Sequence, residues 1–518
     1  MHNQQAGSGV QNNNNAAGTQ KVSFVNSFNS AAFHPHKTLW DKVAGVEASH
    51  TAEQQYERGE CLEGTRVKAL GTIDDWRVAK DQDHPILWLT GAAGVGKSAI
   101  AMTVAKSCEK HGLVSSFFCY RSDPRRNNPS ALFLTIAHGL VTVSPLLRST
   151  IEQRISRDPM ILEARMENQF RELVIQPLVG QLPSTKPQKP SLLYKWSEGL
   201  RKIRRPRSPN LQEGPNSTEV PNLVIIDGLD ECGDERTQLR VLCTIQSAFE
   251  HSPHFPLRFL ICSRPESWIR QAFIANPLQP LTKVVVLDDS FSPDDDIMRY
   301  YLHQFRQISA DPQYSQITFP SPWPSQEDLE ILVVRACGQF VYAVTAVKFI
   351  QGAFKHPLEQ LHVILNNVTP RPGTSPYQQL DALYDYILSV NPDHEAVYPI
   401  LAAILVIPPK ARTPVCIEML LELPTGQVAV ALRGMHSVLH IRGSGDVIRL
   451  FHTSFRDYLV DQARSGRFHI DIGTMKHVIA QQWLQNVTTS KVQAHRYTVV
   501  SSSLDSCANT NLLFPTRS

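Results

Sequence analysis

Residues 86–105 read ILWLTGAAGVGKSAIAMTVA, and this stretch decides the fold. Its apolar start is typical of a strand buried on both faces of a parallel sheet. A glycine turn follows, and then a helical segment from Ser98 to Lys110 that Gly112 ends. The other predicted strands are short apolar runs separated by helical segments, at residues 113–120, 222–227, 257–262 and 283–287. Strands that alternate with helices predict an α/β fold in which helices flank a parallel sheet.

The glycine turn matches the phosphate-binding pattern G-x-x-x-x-G-K-[ST]. Glycine lets backbone N–H groups close around phosphate oxygens, and the positive end of the next helix dipole faces the same anion. We expect Lys97 to reach the β- and γ-phosphates and Ser98 to give its hydroxyl to Mg²⁺. The predicted nucleotide-binding residues of this loop are Gly91, Ala92, Ala93, Gly94, Val95, Gly96, Lys97, Ser98 and Ala99. The alternative is a plain glycine-rich turn, which the strand and helix on either side disfavour.

Three acids follow the predicted strand in LVIIDGLDE, residues 223–231. Ligands of open α/β sheets bind at the carboxyl ends of the strands, so Asp227 is predicted to hold Mg²⁺ through water. Either Asp230 or Glu231 is placed to orient and deprotonate an attacking water. Arg264 ends the next predicted strand and is predicted to stabilise the γ-phosphate, with a surface arginine as the alternative. No Asn-Lys-x-Asp element that selects guanine occurs, so the expected cofactors are ATP or ADP with Mg²⁺.

The composition describes a globular protein, with 42% hydrophobic residues, 19% charged residues and a net charge of +3. This near-neutral balance excludes a whole-chain nucleic-acid coat and a strongly basic membrane binder. The nine cysteines form no C-x-x-C pair, so neither a zinc site nor a secreted disulfide framework is indicated. No apolar run reaches the roughly 18 residues of a membrane span. We therefore expect a soluble cytoplasmic protein without a membrane partner.

The chain is predicted to divide into six parts. These are a disordered tail (1–36), a helical lead-in (37–80), a P-loop NTPase domain (81–290), a helical domain (291–390), a winged-helix-like domain (391–460) and a tail (461–518). An inserted loop at 183–221 carries the basic region 195–207, whose composition favours a solvated loop over a nucleic-acid patch. Helical periodicity runs through 328–350, and 439–452 predicts a hairpin turning at 443–445.

Together these motifs resemble the NACHT nucleoside triphosphatases of the STAND division, and more narrowly fungal NLR-like proteins with a nephrocystin-like NACHT segment. The resemblance covers about residues 39–459. Besides the motifs above, it rests on RGECLEGTR (58–66), FFCYRSDPRRNNP (117–129), FLICSRPE (259–266), LYDYIL (383–388) and FHTSFRDYL (451–459). It implies a slowly hydrolysing ATP/ADP switch that self-associates on activation, as in innate immunity or heterokaryon incompatibility.

The resemblance also implies roles for three residues outside the phosphate loop. His452 would contact the β-phosphate of ADP, and Thr65 and Arg66 would line the adenine pocket. The chain departs from the family in two respects. The usual Gly-x-Pro element near the base is replaced by CGQF at 337–340, and the chain ends about 60 residues after FHTSFRDYL, where ligand-sensing repeats are usual.

Two other functions remain open at this stage. One is a scaffold that binds nucleotide without turnover, and the other is an ATP-dependent loader on nucleic acid. The segment VCIEMLLEL at 415–423 disfavours the loader, because a DNA-reading helix would be basic and this one is acidic and apolar. The protein partner and the activating stimulus are not indicated by the sequence.

Overall fold

The computed structural model describes residues 34–490, apart from 53–58, 80–83, 111, 122, 124, 181–220, 253–254, 276, 353–355, 369–376, 392–393, 442 and 444. The predicted amino-terminal tail lies almost wholly outside the described residues, as do the inserted loop, its basic region 195–207 and residues 491–518.

Five parallel strands form the central sheet in the order β2–β3–β4–β1–β5. Their bounds are β1 Ile86–Thr90, β2 Leu113–Phe118, β3 Leu223–Asp227, β4 Arg258–Ser263 and β5 Thr282–Val286. The first four strands are buried at every residue, which is why their sequences are mostly apolar, although β2 also buries Ser115 and Ser116. The predicted α/β fold with a parallel sheet is confirmed.

Helices cover both faces of this sheet. They are α1 Pro35–Ala44, α2 Val67–Val78, α3 Lys97–Cys108, α4 Leu132–Val143, α5 Pro145–Arg157, α6 Met166–Phe170, α7 Gln176–Val179, α8 Glu235–His251 and α9 Ser267–Ile274. Helices α2 and α3 pack on one face with Leu87 and Leu89. Helices α1, α4, α5, α8 and α9 pack on the other face with Ile86 and Trp88. Alternate residues of β1 thus serve opposite layers, as the period of a strand requires.

A helical region follows the sheet. It contains α10 Pro293–Ala310, α11 Gln326–Ala336, α12 Phe340–Ile350, α13 Pro357–Asn367 and α14 Gln378–Ser389. The helical periodicity predicted through 328–350 is interrupted, because Cys337 and Gly338 adopt φ values of 48° and 71°. This left-handed backbone ends α11, as is common at helix carboxyl ends.

The last region contains more helix and a short hairpin. Its elements are α15 His394–Val406, α16 Pro414–Leu420, α17 Gln427–Ala431, β6 Leu439–His440, β7 Arg449–Leu450, α18 Thr453–Val460, α19 Gln462–Ser465 and α20 Ile472–Ser490. Strands β6 and β7 pair antiparallel, in agreement with the predicted hairpin. A winged-helix arrangement stays a prediction. Residues 461–490, which fall in the predicted carboxyl-terminal tail, are mostly helical, and Ile470 and Ile479 are buried in the core shared with α10–α18. In the part of the chain that the structure describes, no helix is both long and apolar enough to cross a membrane.

Candidate functional site

The predicted phosphate loop connects the carboxyl end of β1 to the first residue of α3. Gly94 and Gly96 have φ values of 78° and 97°, in the left-handed region that other residues rarely adopt. A Cβ atom on Gly94 would lie 2.2 Å from a methyl group of Val341, so there is no space for a side chain. The backbone of Val341 also donates a hydrogen bond to the carbonyl of Gly94, at 3.1 Å. The break between α11 and α12 therefore brings the start of α12 against the phosphate loop, although residues 337–340 lack the proline of the Gly-x-Pro element.

Lys97 bridges the loop. Its Nζ donates to the carbonyl oxygens of Gly91 and Ala92, both at 2.8 Å. Burial lowers the pKa of the Lys97 amine, whereas the charges of Asp230 and Asp227 act to raise it. The structure thus groups Lys97 with two of the predicted acids.

Asp227 is buried at the end of β3, and a turn at Gly228 leads into a short 3₁₀ helix, Leu229–Glu231. Asp230 is also buried and is held by Arg264: its Oδ1 accepts from the backbone N–H at 2.9 Å, and its Oδ2 lies 3.3 Å from Nε. Because Asp230 is engaged by a guanidinium, Glu231 is the better candidate for a base. Glu231 is also the less buried of the two carboxylates.

Helix α18 docks on these acids through two residues one turn apart. Thr453 Oγ1 donates to Glu231 Oε1 at 3.1 Å, and Arg264 Nη2 donates to Thr453 Oγ1 at 3.3 Å. Asp457 Oδ2 lies 2.7 Å from Arg264 Nη2. Burial alone would lower the pKa of Arg264, but the charges of Asp457, Asp230 and Glu231 outweigh it and raise that pKa. Both candidate groups for phosphate chemistry are therefore in contact with α18.

Arg121, in the loop after β2, completes this cluster. Its backbone N–H donates to Glu231 Oε2 at 3.1 Å, and its Nη1 lies 3.5 Å from Asp457 Oδ1. Sequence reasoning missed Arg121, Thr453 and Asp457 as site residues. The motifs YRSDPRR and FHTSFRDYL contain them and were part of the resemblance, but no spacing rule connects such distant segments.

His452 is the amino-terminal cap of α18. Its Nδ1 accepts from the backbone N–H of Ser454 at 3.0 Å and lies 2.6 Å from the Ser454 hydroxyl. The residue precedes Thr453 and so lies at the edge of the acidic cluster. Its predicted contact with a β-phosphate stays a prediction.

Thr65 and Arg66 are both buried just before α2, and Arg66 contacts the phosphate loop. Thr65 donates its hydroxyl to the Leu62 carbonyl at 2.6 Å. Arg66 Nη2 donates to the Val95 carbonyl at 2.6 Å, its backbone N–H donates to Asp296 Oδ2 at 3.0 Å, and its guanidinium lies 4.7 Å from the centre of the Phe340 ring. Arg66 thereby links the phosphate loop to α10 and α12, and its predicted role at the adenine is untested.

Among the described residues, no group of three or more His, Cys, Asp or Glu side chains could hold a metal ion. A dedicated cage is not what Mg²⁺ requires beside a nucleotide, where one or two protein ligands, phosphates and waters suffice. Ser98 and Asp227 supply that number of oxygen donors, one on the phosphate loop and one at the end of β3.

The comparison with known protein families concerns the segment of the chain that contains β1 and β2. Residues 68–189 match the family described as nephrocystin 3, N-terminal. That range includes the phosphate loop and Arg121, but not Asp227, Arg264 or α18. No curated protein matches the chain. The nephrocystin-like part of the expected resemblance is therefore confirmed, and over residues 68–189 the chain is similar to the nephrocystin 3 amino-terminal family.

Proposed function

We propose that this chain is an ATP/ADP-dependent signalling switch of the NACHT/STAND type. It binds Mg-ATP at Gly91–Ser98, hydrolyses it slowly and thereby controls self-association. The observation that carries the proposal is the loop at the carboxyl end of β1. There the Lys97 amine donates hydrogen bonds to two loop carbonyls, and it lies close enough to Asp227 and Asp230 to feel their charges.

The strand order supports a nucleotide at this edge of the sheet. β4 lies between β1 and β3, so Arg264 follows the strand that separates the phosphate loop from the acids. β1 leads into α3 on one face, and β4 leads into α9 on the opposite face. Ligands of open α/β sheets bind where such connections diverge. A triphosphate in this crevice would meet an amine, a guanidinium and the acids.

Each residue has a distinct task in the proposed reaction. Lys97 and the loop N–H groups hold the β- and γ-phosphates, and Ser98 with Asp227 would hold Mg²⁺, which neutralises the phosphate oxygens when bound. Glu231 accepts the proton of the attacking water, and Arg264 balances the charge that develops on the γ-phosphate.

The contacts of α18 support a switch rather than a constitutive ATPase. Thr453 holds one oxygen of Glu231, and Asp457 holds Arg264, so the proposed base and the proposed arginine are both engaged by α18. Hydrolysis requires these groups to turn to the nucleotide. A change at the phosphate and a displacement of α18 are thus coupled through the side chains of Glu231 and Arg264.

Binding of a fluorescent ATP analogue in the presence of Mg²⁺ tests the phosphate loop. We expect Lys97→Ala or Ser98→Ala to abolish binding without unfolding the chain. Lys110→Ala is the matched control, because Lys110 is exposed just after α3 and outside the loop. Unchanged affinity in a folded Lys97→Ala variant would exclude the assignment.

Size measurement of the purified protein with ADP, and with a non-hydrolysable ATP analogue, separates the switch from a scaffold. The switch predicts a larger species with the ATP analogue only. A scaffold predicts nucleotide binding without any change in size.

The loader on nucleic acid has less support. In α16, Glu418 is buried and accepts backbone hydrogen bonds from Gly426 and Val428 at 3.0 and 3.1 Å. This acid therefore has a structural role, because it connects α16 to the start of α17. A helix with that role and no basic residue is not suited to a phosphate backbone.

A further inference from the structure

Residues 45–50 form a strap along the outer edge of β2, the strand at one end of the sheet. The backbone N–H of Phe118 donates to the Ala48 carbonyl at 2.8 Å, and the backbone N–H of His50 donates to Ser116 Oγ at 3.0 Å. Ala48 is buried in the same core as α4 and α5. The strap therefore pairs with backbone that an edge strand would otherwise present to solvent.

The strap is also bound to the loop after β2. Arg125 Nη1 donates to the Gly45 carbonyl at 2.9 Å and lies 3.2 Å from Glu47 Oε2. The same loop carries Arg121, whose backbone N–H donates to Glu231. A displacement of the strap would thus loosen the loop that contacts the proposed base.

His50 is the buried titratable residue of the strap, with a side chain only 9% exposed. Its Nδ1 lies 2.8 Å from Ser116 Oγ. That oxygen already accepts the backbone N–H of His50, so its own proton is available to Nδ1, which makes Nδ1 the acceptor of a neutral ring. The ring proton is then on Nε2, which is buried without a hydrogen-bond partner among the described residues; Glu109 Oε1 lies 3.8 Å away.

A second proton on this ring is unfavourable. Nδ1 could no longer accept from Ser116, and a positive charge would be buried. Two charged residues of α3 face the ring: Glu109, which is 53% exposed and so attracts it only weakly, and Lys106, which repels it. Burial lowers the pKa of His50, the charge of Glu109 acts to raise it, and Lys106 lowers it further.

The sign of the pH dependence follows from this lowered pKa. A released strap exposes His50 to water, where its pKa returns to the ordinary value of about 6.5. Release therefore takes up a proton below that value. Docking is strongest above about pH 6.5 and weakens as the pH falls from there towards the lower pKa of the docked state.

We propose that the strap is acid-sensitive: it covers β2 while His50 is neutral, and it leaves the strand when His50 takes up a proton. The placement of the ring carries the proposal, because it joins the strap to β2 through Ser116 and lies beside the end of α3. Release exposes the outer N–H of Phe118 and separates the strap from Arg125, so the loop after β2 responds to acidification.

Hydrogen exchange at the Phe118 amide tests the proposal, because the partner of that amide is the Ala48 carbonyl. Exchange of the full chain is measured by mass spectrometry on overlapping peptides at about pH 7.5 and about pH 5.0. Division by the intrinsic chemical rate at each pH gives the opening constant. The test variant is His50→Gln, whose side chain does not titrate. The matched control is His303→Gln, which replaces a partly exposed histidine on α10.

We expect the opening constants of the wild type and of His303→Gln to rise about threefold or more on acidification, and that of His50→Gln to change less than about twofold. Equal pH dependence in the wild type and His50→Gln would overturn the proposal. An equal rise at the amides of β4 would also overturn it, since the whole sheet rather than the strap would then be opening.

Glu109→Gln provides a second test if His50→Gln does not fold. Glu109 is exposed, and its charge acts to raise the pKa of His50. Its removal should therefore increase the opening constant at the acidic pH and leave the value at the higher pH nearly unchanged. An opening constant at the acidic pH that is equal to or smaller than that of the wild type would contradict the proposal.

Discussion

Replacing Asp457 with asparagine should loosen the docking of α18 on the proposed site. Asp457 Oδ2 lies 2.7 Å from Arg264 Nη2, and the two side chains are 14% and 17% exposed. The substitution keeps the shape and one acceptor oxygen but removes the negative charge. Arg264 retains Asp230 at 3.3 Å, so the fold around β4 is expected to survive.

The size of the effect follows from this partial burial. An exposed ion pair contributes up to about 1 kcal/mol, and breaking a fully buried one costs about 3–5 kcal/mol. Arg121 adds little, because its side chain is 35% exposed and lies 3.5 Å from Asp457. We therefore expect a loss of about 2 kcal/mol in the docked state, which is about a thirtyfold change in the ratio of docked to undocked protein.

The assay is the dissociation rate of a fluorescent ADP from the full chain after addition of excess unlabelled ADP. We expect Asp457→Asn to accelerate dissociation by up to about thirtyfold and to increase the self-associated fraction. Asp461→Asn is the matched control. Asp461 ends α18 and caps α19 through the N–H groups of Ala463 and Arg464, and asparagine caps a helix equally well.

An unchanged dissociation rate in a folded Asp457→Asn protein would refute the reasoning. The ion pair would then be a structural contact that does not limit nucleotide release. Equal acceleration in the Asp461→Asn control would refute it as well, because the effect would reflect general loosening of the region.

Three further predictions concern the chemistry, the helix cap and the insertion. Glu231→Gln should retain ATP binding and slow hydrolysis, since it keeps the shape and removes the base; if neither it nor Asp230→Asn, alone or combined, lowers turnover, the assignment of the base is wrong. His452→Ala should lower the melting temperature, because loss of the helix cap costs about 1 kcal/mol. His452→Asn should restore the cap but remove the imidazole, and with it any contact from Nε2 to the nucleotide. An identical ADP-induced shift in melting temperature for His452→Asn and wild type would show that His452 does not touch the nucleotide. Deleting residues 185–218 should leave ATP binding intact, because that stretch has no periodic apolar face, and loss of binding or solubility would show that it packs.

Several features could be predicted because they depend on short-range patterns. A strand buried on both faces is mostly apolar, so β1 to β4 were predicted to within about two residues of their bounds. A loop that turns through positive φ and packs tightly needs glycine, which is why Gly94 and Gly96 stand out in the sequence.

The break between α11 and α12 could not be located in this way. The apolar periodicity continues across Cys337 and Gly338, and a glycine inside a helical pattern is compatible with an unbroken helix. The decisive contact is the hydrogen bond from Val341 to Gly94, between segments almost 250 residues apart in sequence. Tertiary packing overrides local propensity there.

The sequence by itself determined the strands of the parallel sheet, the glycine loop after β1 and the position of the acids after β3, because burial and backbone geometry are dictated by nearby residues. Only the tertiary structure decided that Arg121, Thr453 and Asp457 join those acids. Arg121 and Asp457 are 336 positions apart. Hydrophobic periodicity specifies which face of a helix is buried, but which surface covers that face, and therefore which charges meet there, depends on the packing of the whole chain.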